Sequence, residues 1–155
     1  MANKNNILGW WNRFQKVPAG NFLFSRMLGW IVPYSGSISC CVKELSKGHA
    51  VVELSDRRKV RNHLRSVHAI ALLNLGELAT GLSALTTIDE SMRGIVVSIR
   101  ADYLKKARGL LIARANFQLP DILNDQKEYE VSANIMDEDG DIVALVTASW
   151  LLGYR

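Results

Sequence analysis

The sequence predicts an α+β domain in which one long apolar helix lies across the concave face of a curved antiparallel sheet of about six strands. A helical extension precedes it. Three observations carry this prediction. The stretch Ala69 to Thr86 contains no proline and is dominated by Ala and Leu. Two runs before it and four after it have the composition and two-residue alternation of strands. Turn-forming residues stand between neighbouring runs.

The elements follow in order. From Ile7 to Ile31, Trp10, Trp11, Phe14, Phe22, Phe24, Met27 and Trp30 mix with Arg13, Lys16 and Arg26. This predicts one or two short amphipathic helices broken near Pro18-Ala19-Gly20, with Pro33 and Gly36 ending the helical part. We therefore divide the chain into an extension, 1–33, and a main domain, 34–155. The period then changes to two. Ile38, Cys40 and Val42 alternate with Ser37, Ser39 and Lys43, and Ala50, Val52 and Leu54 alternate with His49, Glu53 and Ser55. Ser46-Lys47-Gly48 supplies the turn between these runs. A basic loop from Asp56 to Val67 leads into the long helix. Beyond it come strand-like runs at 95–104, 109–117, 128–136 and 142–151, and the Asp- and Gly-rich stretch 136–141 predicts a hairpin between the last two.

A helix that is apolar nearly all round has to be covered on every side, and a sheet curling about it hides both surfaces together. That arrangement is the hotdog architecture. An open sheet leaves edge strands with unpaired backbone groups, so pairing with a second copy is expected, as a homodimer or a dimer of dimers.

Bulk properties narrow the function. With 155 residues, 48% apolar and 22% charged, the chain has the composition of one ordinary globular domain. The net charge of +4 suits a phosphorylated ligand. It is too small to suggest nucleic acid, and no nucleic-acid-binding motif accompanies it. Cys40 and Cys41 are adjacent in a predicted strand and would point to opposite faces, which gives no disulfide framework. No pair of His or Cys has metal-ligand spacing, so no metal is expected. With no secretory signal or membrane-length apolar run, the expected compartment is the cytoplasm. The tryptophan-rich extension has two readings, packing against the sheet or a neighbouring subunit, or lying on a membrane surface. Packing is preferred, and membrane contact is not expected.

The candidate chemistry lies at and just before the long helix. Glu77 is flanked by Leu73, Leu75, Leu78 and Leu82, so on a central helix its carboxylate is poorly solvated. A Glu there either serves function or reaches a helix end, a subunit boundary or water. Upstream, Ser66 is a candidate helix cap. The N–H groups of Val67 to Ile70 would then point outward as a site able to stabilise a developing oxyanion. An ordinary helix start is the alternative.

Asn62, His68 six positions on, and Glu77 nine further resemble the signature of hotdog thioesterases of the phenylacetate-degradation type. The stretch 36–150 is also similar to a bacterial family of thioesterase-like proteins of unassigned substrate. Two positions depart from the signature. Arg65 stands near a family glycine, and Ala69-Ile70 replace a Gly-Gly pair, which narrows the approach to the helix N-terminus. The resemblance implies an acyl-CoA or acyl-carrier thioester as substrate, with no separate cofactor because coenzyme A is part of the substrate.

It also implies roles for individual residues. The carbonyl oxygen would sit at the N–H of Ala69, with that of Ile70 a further candidate donor, and Glu77, supplied by the neighbouring subunit, would activate water or attack directly. Asn62 would orient the water or carbonyl. His68 would position the loop, with a role as base the alternative, and Ser83 is a further candidate for holding water. Arg57, Arg58, Lys59, Arg61 and Arg65, with Lys105, Lys106 and Arg108, could meet coenzyme A phosphates; solvated loops are the plainer reading. A non-catalytic acyl-binding protein is the main rival. A hydroxyacyl dehydratase fits less well, because its His-to-acid spacing and Pro-Gly approach are absent.

Overall fold

The computed structural model describes residues 6–120 and 126–154. Strands β1 (Cys41–Ser46), β2 (His49–Ser55), β3 (Met92–Tyr103), β4 (Leu110–Asn116), β5 (Lys127–Met136) and β6 (Ile142–Tyr154) form one antiparallel sheet in the order β1-β2-β4-β5-β6-β3. Three helices precede it: α1 (Ile7–Phe14), α2 (Gly20–Ile31) and the short α3 (Pro33–Gly36). The long helix α4 (Ala69–Leu85) links β2 to β3 and touches every strand. This is the hotdog fold expected from the sequence.

The covering of α4 explains its composition. Leu75, Ala79 and Leu82 are buried against the sheet with Val146, Ala133 and Ala113. Gly76 lets the helix sit close on β6, because a methyl group there would meet the Val146 side chain at 2.3 Å. The buried hydroxyls on α4 are satisfied locally. Thr80 donates to the Glu77 carbonyl and Ser83 to the Thr80 carbonyl, both at 3.0 Å, while Trp150 Nε1 donates to Thr80 Oγ1.

The two edges of the sheet are treated differently. On β1, the Val42 N–H donates to Ser25 Oγ at 2.8 Å and the Asn21 side-chain amide donates to the Lys43 carbonyl at 3.1 Å. Side chains of α2 thus satisfy backbone groups of that edge. Phe24 and Trp11 anchor the extension in the main core, their rings meeting edge-on at 5.0 Å. The packing reading therefore holds for these two residues, but Phe22 and Trp30 lie exposed on the outside of α2. At the opposite end β3 pairs with β6 alone, and its outer edge carries no strand among the described residues.

Two local expectations are corrected. Pro33 opens α3 as its first residue, where its missing N–H is harmless. The first strand begins at Cys41 rather than near Ile38, because residues 37–39 close a turn after α3, with the Ser39 N–H bonded to the Gly36 carbonyl at 3.0 Å and Ser39 at φ +49°. Cys40 precedes the strand instead of alternating with Cys41 within it. Both thiols are free, and burial pushes that of Cys40 up to about 12. The predicted hairpin between β5 and β6 forms as read: Asp137 Oδ1 accepts the N–H groups of Asp139 and Asp141, and Gly140 takes the φ of +83° that the turn needs.

Candidate functional site

The chain leaves β2 through a 3-10 turn at Arg58–Val60, and a bridge between Arg61 and Val67 closes a small loop ahead of α4. Asn62 organises that loop. Its Oδ1 accepts the Leu64 N–H at 2.9 Å and both the N–H and hydroxyl of Ser66 at 3.2 Å. Arg65 adopts φ +56°, a left-handed conformation that glycine takes without strain. The related signature carries glycine near this position; here an arginine takes this backbone shape.

The start of α4 differs from the sequence expectation. Ser66 is spent on Asn62, and His68 is the cap: its Nδ1 accepts the Ile70 N–H at 3.1 Å. The Val67 N–H bonds to the Ala107 carbonyl and the His68 N–H to the Val60 carbonyl, each at 2.8 Å. Of the four N–H groups expected to point outward, only that of Ala69 has no hydrogen-bond partner among the described residues. With Nδ1 engaged as an acceptor, His68 positions the helix start.

Glu77 lies two turns further on. It is half-buried, and no hydrogen bond or ion pair reaches its carboxylate among the described residues. Loss of hydration pushes its pKa above the ordinary carboxylate range. Eight residues of helix separate it from Ala69, about 12 Å of rise. One protomer therefore holds its free N–H and its desolvated carboxylate too far apart for both to act on the same carbonyl. Ser83 is fully buried, and its hydroxyl is donated to Thr80, so it faces the core rather than a water site.

Asn62, Ala69 and Leu72 share a cavity of about 320 Å³ with Tyr103, Lys105 and Lys106. Tyr103 is the residue that sequence reasoning missed. Its hydroxyl donates to the Ala69 carbonyl at 2.9 Å, and partial burial raises its pKa. The only signal was an aromatic at a strand end, and its partner is fixed by topology 34 residues away.

The cations divide into two groups. Arg57 donates to the Ile38 carbonyl, Arg61 pairs with Asp56 at 2.6 Å, and Lys105 pairs with Asp137 and Asp141 at 2.8 and 2.6 Å. These three are engaged within the fold, so each would have to share or exchange a partner to meet a phosphate. Arg58, Arg65 and Lys106 are exposed and have no ion-pair partner among the described residues.

One helix cradled by a six-stranded antiparallel sheet defines a protein of the hotdog fold, and the candidate groups it carries are a carboxylate on the central helix, an unspent N–H at its start and an asparagine-built loop beside it. Comparison with known proteins agrees. The chain belongs to the DUF4442 family, a domain of unknown function, whose sequence profile matches residues 20–152. The structural-genomics crystal structure APC5556 is 31% identical with a TM-score of 0.82, the match covering 97% of this chain and 99% of that one. PA5026 of Pseudomonas aeruginosa, a protein of unknown function described as a probable thioesterase, is 24% identical with a TM-score of 0.73, over 84% and 91% of the two chains. A point mutant of the phenylacetic acid degradation protein PaaI from Thermus thermophilus is 23% identical with a TM-score of 0.65, over 77% and 97%. No curated protein matches the chain in sequence.

Proposed function

We propose that this protein hydrolyses the thioester of a fatty or aromatic acyl-CoA, or of the corresponding acyl carrier, at a site shared by two copies. The observation that carries this reading is Glu77, a half-buried carboxylate without a partner among the described residues, on the helix whose first N–H at Ala69 is also unspent. The free edge of β3, with exposed Ile95, Val97 and Tyr103, is the surface through which the copies pair. Pairing there supplies Glu77 of one copy to the Asn62–Ala69 cleft of the other. A homodimer is the smallest assembly with a complete site, and a dimer of dimers repeats it.

In this reaction the substrate carbonyl oxygen lies at the Ala69 N–H and Asn62 orients the carbonyl or the water. Glu77 takes a proton from water as its oxygen attacks the carbonyl carbon, and the Ala69 N–H stabilises the resulting oxyanion. Collapse breaks the C–S bond, releasing the carboxylic acid and a thiolate. That thiolate leaves readily, its parent thiol having a pKa of about 8.5. Direct attack by Glu77, giving an anhydride that water opens, uses the same groups. Exposed Arg58, Arg65 and Lys106 suit the phosphates of coenzyme A.

Release of free thiol from a panel of acyl-CoA substrates tests the reading, with native protein compared against Glu77→Gln. Turnover by the native protein that falls by about 10²-fold or more in the variant supports it. Equal turnover in both overturns the role of Glu77. One observation favours a non-catalytic acyl-binding role: the Ile70 side chain stands exposed next to the free N–H, where the related signature has glycine. Tight binding of acyl-CoA without thiol release would select that second reading.

A further inference from the structure

The outer face of α2 is unusual for a surface helix. Phe22, Arg26 and Trp30 recur at four-residue spacing with Leu23 beside them, forming one stripe about 100° wide. Trp30 is 82% exposed and Phe22 58%, and the stripe continues into Ile31, Val32 and Tyr34, itself 69% exposed. The opposite side of the helix, with Phe24, is already buried in the core. The helix is thus apolar on both sides, and its solvent side bears large aromatic residues. Contiguous exposed apolar surface of this kind marks an interaction site.

The charge around the stripe is one-sided. No Asp or Glu occurs in α1, α2 or α3, whereas Arg26, on the stripe itself, is exposed and has no ion-pair partner among the described residues. Aromatic side chains with an unpaired arginine between them match an interfacial bilayer surface, where the rings settle at headgroup depth and the cation meets anionic lipid. No helix among the described residues is long and apolar enough to cross a membrane. The stripe also lies at the β1 end of the sheet, away from the free β3 edge through which copies would pair. We propose that the outward face of α2 and α3 docks flat on an anionic lipid bilayer. This inference stands independently of the proposed hydrolysis.

The test is sedimentation of the full-length protein with vesicles of phosphatidylcholine containing about 30 mol % phosphatidylglycerol, against phosphatidylcholine alone. The expected result is binding to the anionic vesicles that is roughly tenfold weaker on neutral ones and falls as salt rises. The double substitution Phe22→Ser with Trp30→Ser should weaken binding about tenfold or more with an unchanged melting temperature. Arg26→Glu, a single change at an exposed site, should abolish the preference for anionic lipid and keeps the test decisive if the double variant folds poorly. Native protein that stays in the supernatant, or an Arg26→Glu variant that retains the preference, overturns the proposal. So does a smaller assembly for the double variant by light scattering when native protein ignores vesicles, because the face would then join copies of the chain.

Discussion

The phenol of Tyr103, the last residue of β3, donates a 2.9 Å hydrogen bond to the carbonyl of Ala69, the first residue of α4. This bond fixes the start of the helix against the end of the free edge strand. It therefore couples the surface proposed to pair two copies to the N–H proposed to hold the substrate oxygen. Tyr103→Phe should cost about 1 kcal/mol in urea denaturation, the usual net worth of one such bond. It should also lower kcat more than it raises KM, since the phenol lies beside the groups proposed to react; an unchanged kcat would leave it a structural role alone.

Glu77 gives a pH prediction with a definite sign. Its folded pKa is raised by lost hydration, so the charged form is less favoured in the folded than in the unfolded chain. Between the unfolded and folded values the native state binds more protons, and stability falls as pH rises through that window. Glu77→Gln removes the cost. The variant should melt higher than native protein at pH 7 to 8, and the difference should close below about pH 4, where the unfolded carboxyl is also neutral. The acid limb of native kcat/KM should lie above the ordinary carboxylate range. Equal stability at neutral pH would show that the carboxylate is solvated after all, and a less stable variant that a partner holds it.

How much could be read in advance follows from what each signal depends on. The run from Ala50 to Leu54 is legible because β2 alternates Ala50, Val52 and Leu54 into the core, and α4 because its apolar character extends round the whole helix. The start of β1 is not, because residues 37–39 keep the same alternation while forming a turn held by Gly36. Ser66 has the ordinary composition of a cap, but Asn62 takes its hydroxyl, a competition visible only once the loop is folded. Lys105 reads as a free cation since its partners Asp137 and Asp141 lie 32 and 36 residues away. Local periodicity thus locates the elements that carry the candidate site, and non-local pairing decides which residues remain available to it.

Asn62 combines two roles that separate by substitution. Its carbonyl oxygen holds the loop through three bonds, whereas its side-chain amide nitrogen has no hydrogen-bond partner among the described residues. Asn62→Asp keeps an acceptor in place and should retain stability within about 1 kcal/mol, with turnover reduced about tenfold or more for want of the donor. Asn62→Ala loses both and should be destabilised by about 1–3 kcal/mol. Equal stabilities for the two variants, measured by thermal and urea unfolding, would contradict the loop-holding role.

Ser25 guards the opposite edge. Replacing it with Ala leaves the N–H of Val42, a buried residue, without its acceptor, at a cost of about 1–3 kcal/mol. Amide exchange at Val42 should accelerate while exchange at Val146, deep in β6, follows only the global change. Protection of Val42 equal to native would mean that α2 covers β1 by packing alone.

The paired lysines make the sharpest contrast in the cavity. Lys105 is held by Asp137 and Asp141, which keep its amine protonated well beyond the usual lysine range, while neighbouring Lys106 is exposed and unpaired among the described residues. Both line the cavity with Asn62 and Ala69. If coenzyme A phosphates approach this rim, Lys106→Ala should raise KM for acyl-CoA roughly three- to tenfold and flatten its salt dependence, leaving kcat unchanged. Lys105→Ala should barely move KM. Its effect should fall on the hairpin between β5 and β6, read as faster amide exchange at Gly140 and Asp141, because removing the amine leaves two carboxylates facing each other. Reversal of these two outcomes would place the phosphates on Lys105 and require the aspartate pair to release it when substrate binds.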